Sequence, residues 1–294
     1  VTRPDGVPRF AEAGSYHGRI APSPVTLTPV VLPSTYRAAF RAELRRSFHP
    51  PYEDPAVVAG NGVLVTVAWL WLPLPLQDLL FSLHGALAFP VVLATWMLAD
   101  VPATNVLGSD ASRVLAALDD PATLTRLLYA KVAVLWLLVA PVSSLVAVGI
   151  GIDRDRWSTT AITVACILVV PIGSLGVAAW LGIFFPYHPI PLARRWRHRR
   201  PFGRMVVRWV ALVLLPYAVV PAIATVVALP AFAVWYHTTR HWQDRIPDRH
   251  LALGVILTAI CSTVVLFVGH RQSLRFIHRR RERLIEQLSH PERG

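Results

Sequence analysis

The apolar residues of this chain are blocked rather than periodic. Runs cover about 57–74, 79–98, 132–152, 159–185, 205–236 and 251–269. Each reaches or approaches the ~20 residues that carry a helix across a ~30 Å hydrocarbon core. None contains Asp or Glu, either of which would cost ~2.5–3.5 kcal/mol at the centre of a membrane helix. The pattern predicts an all-α polytopic membrane protein with about six transmembrane helices. Single interior prolines fall in the second, third and fourth runs (Pro90, Pro141, Pro171), and three fall in the fifth (Pro216, Pro221, Pro230). A run of that length with three prolines predicts a span ending near Pro221 or Ala224, then a short helix or re-entrant segment to about Tyr236.

The polar stretches carry patterns of their own. Tyr36, Phe40, Leu44 and Phe48 recur every four positions beside Arg37, Arg41 and Arg45. That spacing predicts an amphipathic helix of about three turns in the headgroup plane, just before the first span. The HPPYEDP that follows is a breaker that turns the chain into the membrane, with His49, Glu53 and Asp54 as surface polar groups. Residues 1–33 read as a flexible cytoplasmic leader, and the first apolar run begins too far along for a cleavable signal peptide. Residues 34–270 then form the transmembrane domain, and 271–294 a basic cytoplasmic tail with Ile277, Arg281, Leu284 and Leu288 at helical spacing.

Between the second and third runs lies DVPATNVLGSDASRVLAALDDPATLTRLLYAK. Leu107, Val114, Leu115 and Leu118 mark one face of a short helix, with Ser109 or Asp110 as its cap and Asp119–Asp120 as its stop. Asp120–Pro121 reads as an N-cap and first-turn proline opening the next helix. That helix should run through Lys131, the only lysine in the chain, into the third span. Lys131 is expected to snorkel to the headgroups, so that Arg126 could stand in for it. The leucine face has no use in solvent, so it is expected to seat against a partner, leaving the fold indifferent to Leu118→Asp.

Composition supports the class. The chain is 54% hydrophobic and only 16% charged, against about a quarter charged in soluble domains. With the amino terminus inside, 24 of the 29 basic residues fall in cytoplasmic segments, and five (Arg154, Arg156, Arg240, Arg245, Arg249) fall outside. Both termini are therefore expected in the cytoplasm. The net charge of +12 then faces anionic lipid rather than nucleic acid. Cys166 and Cys261 lie mid-run as packing residues. His237 and His241, with Asp244 nearby, have the spacing of two metal ligands but lack a third, so no metal site is expected. Trp235, Tyr236 and Trp242 read as interfacial belt residues. There is no P-loop, no G-x-S-x-G and no intramembrane carboxylate. The chain thus carries no ATP-binding loop or proton-relay carboxylate of its own, and it is not expected to be an enzyme.

The order of parts resembles the permease subunits of type-two ABC exporters: an interfacial helix, six spans, a coupling helix between spans two and three, and a broken element between spans five and six. Asn105, Gly108, Asp110, Pro121 and Lys131 fit that family's loose pattern around the coupling helix, and LGIFFPYHP at 181–189 is similar to the end of its fourth span. The resemblance covers residues 35–270 in architecture and about thirty residues in sequence. It implies a coupling helix at about 107–119 acting through Leu107, Arg113, Val114, Leu115 and Leu118. It implies a substrate pathway through spans one, two and five, for which Trp69, Trp71, His84 and Phe89 are candidates. It also implies ABC ATPase subunits that hold ATP and Mg, a second permease copy or a related permease, and a plasma-membrane location. The substrate class would be an apolar or amphipathic drug, lipid or glycolipid. A lipid-modifying metalloenzyme using the outer histidines and a non-transporting accessory subunit are the alternatives.

Overall fold

The computed structural model describes residues 32–50, 52–80, 88–99, 101–155, 157–184, 186, 203–241 and 248–289. Among them every regular element is helical. In chain order these are α1 (Tyr36–Ser47), α2 (Glu53–Trp71), α3 (Leu74–Leu80), α4 (Phe89–Met97) and α5 (Val101–Thr104). A 3-10 turn (Gly108–Asp110) leads to α6 (Ala111–Ala117), α7 (Pro121–Arg154) and α8 (Trp157–Phe184). The remainder are α9 (Gly203–His241), α10 (Asp248–Arg279) and α11 (Arg281–Ser289).

Among the described residues five segments are long and apolar enough to cross a membrane: Glu53–Trp71, Pro121–Arg154, Thr159–Phe184, Leu214–Val234 and Ala252–Arg279. The protein is an all-α polytopic membrane protein. The second run is not among the five, because its residues 81–87 lie outside the described residues. Pro90 sits in the first turn of α4, where its missing N–H costs nothing.

The fifth run corrects one expectation. Instead of breaking near Pro221, α9 is one helix of 39 residues with Pro216, Pro221 and Pro230 inside it. Membrane helices tolerate proline where neighbouring hydroxyls take up the disturbed backbone groups, and α10 supplies one. The N–H of Ala231, next after Pro230, donates to Thr258 Oγ1 at 3.1 Å. The same device repairs α8 beyond Pro171. Gly173 N–H donates to Ser262 Oγ at 2.8 Å, and that hydroxyl donates to Val169 O at 2.5 Å. It thereby stands between a donor and an acceptor that a regular helix would pair directly.

Helix α8 is the hub, packed by α4, α7, α9 and α10. Its approach to α10 depends on small residues. A Cβ at Gly176 would lie 2.6 Å from Leu266 Cα, and one at Gly269 would lie 2.6 Å from Gly176 O. Such close backbones are the usual basis of helix association in lipid, where burial of apolar surface gives no drive. Val63, Leu64, Leu70, Leu145, Leu214 and Phe267 stand exposed on the outer helices, the arrangement of a bundle whose solvent is hydrocarbon.

Candidate functional site

The loop between the second and third runs folds back onto the bundle rather than standing away from it. Helix α7 opens as its sequence predicts, with Asp120 as N-cap and Pro121 in the first turn. Asp120 Oδ1 accepts from Ala122 N at 3.0 Å, and Asp120 Oδ2 accepts from Thr123 Oγ1. These hydrogen bonds, that of Thr123 first, hold the exposed Asp120 carboxyl below its ordinary pKa. At 34 residues, α7 is about 51 Å long at 1.5 Å per residue, so it extends beyond the hydrocarbon.

Lys131 does not snorkel. It is 5% exposed, and its ammonium donates to Val106 O at 2.6 Å and Ser109 Oγ at 3.2 Å. The 3-10 turn and the segment before it cover the position, closing the route to the headgroups. Nor is Arg126 a substitute. It is engaged with Ser34 O at 2.9 Å, with Thr123 Oγ1 at 2.5 Å and with Asp120 at 3.7 Å.

Around Lys131 gathers a junction of opposite charges. Helix α1 turns Ala39, Glu43 and Ser47 inward, a face lying beside the Tyr36–Phe40–Leu44–Phe48 stripe. Tyr36 and Phe48 are left exposed. Arg46 Nη2 reaches Glu43 Oε1 at 2.6 Å and Asp54 Oδ2 at 2.8 Å, and Ser47 Oγ donates to the same Asp54 oxygen at 2.9 Å. Arg113 Nη1 lies 3.4 Å from Asp110 Oδ2 and 3.7 Å from Glu43 Oε2. Burial raises the Glu43 pKa, but the field of Lys131 and the hydrogen bond from Arg46 more than offset this, leaving it below the usual carboxylate range. Asp54, expected as a surface group, is therefore a structural acid at the foot of α2, whereas His49 and Glu53 are exposed as expected. Tyr52, with φ 56°, forms the left-handed elbow between α1 and α2.

The predicted coupling residues are brought together, but they face inward. Leu107, Val114 and Leu118 are buried, and Leu115 packs beside them. Their neighbours are Leu124, Leu127 and Leu128 of α7 and Ile277, Leu284 and Leu288 of the chain's own tail. Arg281 Nη2 also pairs with Asp119 Oδ1 at 2.5 Å. The tail thus covers the leucine face that was expected to stand open for a partner. Helix α6 presents Ser112 and Ala116 to solvent instead. Arg113 alone of the five coupling candidates belongs to the charged junction.

Of the pathway candidates, Trp69 and Phe89 meet at 5.4 Å between ring centroids, Trp71 is 78% exposed, and His84 lies outside the described residues. A second meeting of the same spans was missed. Tyr217 OH of α9 donates to Asn61 Oδ1 of α2 at 2.8 Å, and its ring lies 5.6 Å from Trp96 of α4. Asn61, a carboxamide inside an apolar run, was the available signal. The side chains of His237 and His241, with Asp244 and the 194–202 loop, lie outside the described residues. Among the described residues no cluster of His, Cys, Asp and Glu could hold a metal. Comparison with protein-family models, with curated proteins and with solved structures returned no match in any of the three.

Proposed function

We propose that this chain is the membrane-spanning permease subunit of an ATP-driven exporter of the plasma membrane, moving an apolar or amphipathic substrate. One observation carries the reading. The junction of Glu43, Asp54 and Asp110 with Arg46, Arg113 and Lys131 ties α6 and its 3-10 turn to α1, to the foot of α2 and to α7. A partly buried ionic network adds little net stability, but removing one partner leaves another, such as the buried Glu43 carboxylate, less compensated. Such a network makes four elements move as one body. A force applied to the exposed side of α6 would then tilt α2 and α7 together, where a loop resting on the surface would simply yield. Helices long and apolar enough to cross a membrane, five of them among the described residues, and a sequence without a P-loop suit a machine driven by a separate ATPase holding ATP and Mg. Such a machine alternates by rigid-body motion against a second copy or a related permease. The contact made by Asn61, Tyr217 and Trp96 places a polar and aromatic surface where α2, α4 and α9 converge, the kind of lining an amphipathic substrate requires.

Since the leucines are internal, the test belongs on the other side of α6. Ser112→Trp and Ala116→Arg change exposed positions and should leave the purified protein's thermal stability unaltered. Each should abolish recovery of an ABC ATPase with the tagged permease from native membranes. An ATPase recovered equally with both variants, or none recovered with the wild type, would refute the proposal.

A further inference from the structure

Beside the first turns of α1 lies an open slot of about 440 Å³ lined by Tyr36, Phe40, Tyr129, Ala130 and Ala133. We infer that this slot binds one acyl chain of an anionic phospholipid of the inner leaflet, with Arg37 and Arg41 holding the headgroup phosphate. The inference rests on the membrane-spanning character of the chain and is independent of any ATPase.

The walls are preformed. Tyr36 and Tyr129 meet edge to face at 6.3 Å, and Tyr129 is braced from behind by His270, stacked at 4.0 Å and 25°. Ala130 and Ala133 supply a floor without bulk. Among the described residues no polar side chain other than the two tyrosines lines the slot, so water gains little there and a hydrocarbon chain loses nothing. The depth also fits. Ala133 is the second residue of the third apolar run, and Tyr129 falls just before it. The slot therefore lies where headgroup gives way to hydrocarbon, the level at which aromatic rings settle in membrane proteins. Charge selects the lipid. Arg37 and Arg41 each follow a slot residue on α1, are exposed, and have no ion pair among the described residues. Two exposed guanidiniums, each one position on from a slot residue and unpaired among the described residues, can swing on their long stems toward a phosphate ester whose acyl chain fills the slot. A neutral amphipath would leave them unused.

The test uses the full-length protein in nanodiscs of equal phosphatidylglycerol and phosphatidylcholine. One arm carries a phosphatidylglycerol with a photoactivatable acyl chain. Crosslinks should concentrate on the peptides of α1 and the start of α7, and native mass spectrometry should find one phosphatidylglycerol retained per chain after delipidation. Ala133→Phe fills the slot and should remove that retained lipid. Arg37→Gln with Arg41→Gln should keep a lipid but lower the preference for phosphatidylglycerol, about fivefold for each arginine. Crosslinks spread evenly over α2, α9 and α10 would mean ordinary boundary lipid and overturn the site. So would a folded Ala133→Phe protein that retains the lipid. Should that variant fail to fold, the wild-type crosslink map alone decides.

Discussion

Lys131 combines a buried ammonium with two acceptors from the loop that covers it, Val106 O and Ser109 Oγ, and lies in the field of the Glu43, Asp110 and Asp54 carboxylates without pairing directly with any of them. Removing it leaves Glu43 buried with less compensating charge and frees Val106 O. Glu43 keeps Arg46 and Arg113 beside it, so the main loss is the buried ammonium's own hydrogen bonds, ~1.5–3 kcal/mol for a charged group. We therefore expect Lys131→Ala to lower thermal stability sharply, in a protein otherwise able to insert. Lys131→Met combined with Glu43→Gln should recover part of the loss, and a double-mutant cycle on unfolding midpoints measures the coupling; purely additive effects would show that the two charges do not communicate. Glu43 also sets an acid limit. Its folded pKa lies below its unfolded one, so its stabilisation is full above the ordinary carboxylate range and fades as pH falls through the folded value. The midpoint should drop on acidification through about pH 4, and less steeply in Glu43→Gln. The sequence drew attention to this lysine by its uniqueness but could not show its burial. A lysine at a helix end snorkels unless something covers it, and the cover here begins at Val106, 25 positions earlier.

At the scale of elements, helix existence was legible wherever long apolar runs or paired signals such as Asp120–Pro121 marked it. Two things were less so. Prolines alone suggested a broken fifth span, because the hydroxyls that repair α8 and α9 come from α10, far along the chain. Likewise the periodicity of Val114, Leu115 and Leu118 showed that an apolar face exists, while its partner was Ile277, Leu284 and Leu288 of the same chain. Both failures concern which surface meets which, something local pattern does not encode. Two measurements follow. Ser262→Ala removes the bridge between Gly173 and Val169 and should cost ~0.6–1.7 kcal/mol, the range for interhelical polar contacts in membranes. Gly176→Leu, whose side chain meets the Leu266 backbone, should separate α8 from α10 and do more damage than Ser262→Ala. Unfolding in mixed detergent micelles would rank them, and equal midpoints would contradict the close-packed seam. Leu118→Asp, for its part, now places a carboxylate in the chain's own core, with a penalty of at least ~1–3 kcal/mol. It should lower the midpoint of the isolated protein with no partner present.

For the molecule as a whole, the arrangement of elements bears on its orientation. Helix α1 packs on α7, and α11 packs on α6, while Lys131 joins α7 to the turn before α6. The interfacial helix, the loop helix and the tail therefore share one end of the bundle. That end carries the junction of Arg46, Arg113 and Lys131 and the tail arginines, whereas the turn between α7 and α8 carries Arg154 and an exposed Asp153. Concentration of Lys and Arg on one side orients that side toward the cytoplasm. The loops 194–202 and 242–247 lie outside the described residues, yet the same rule assigns the first to the cytoplasm with its five arginines, Arg194 to Arg200, and the second to the opposite face. Single cysteines at Trp196 and Gln243, in a Cys166→Ala, Cys261→Ala background, would read this directly. Both native thiols lie in membrane helices and are free, so their removal clears the background at small cost to packing. A membrane-impermeant maleimide applied to intact cells should label the cysteine at 243 and spare the one at 196 until the cells are opened. The reverse pattern would invert the protein in the membrane. It would also move α6 to the outer face, where no ATP-driven partner could reach it, and the proposed function would fall with the topology.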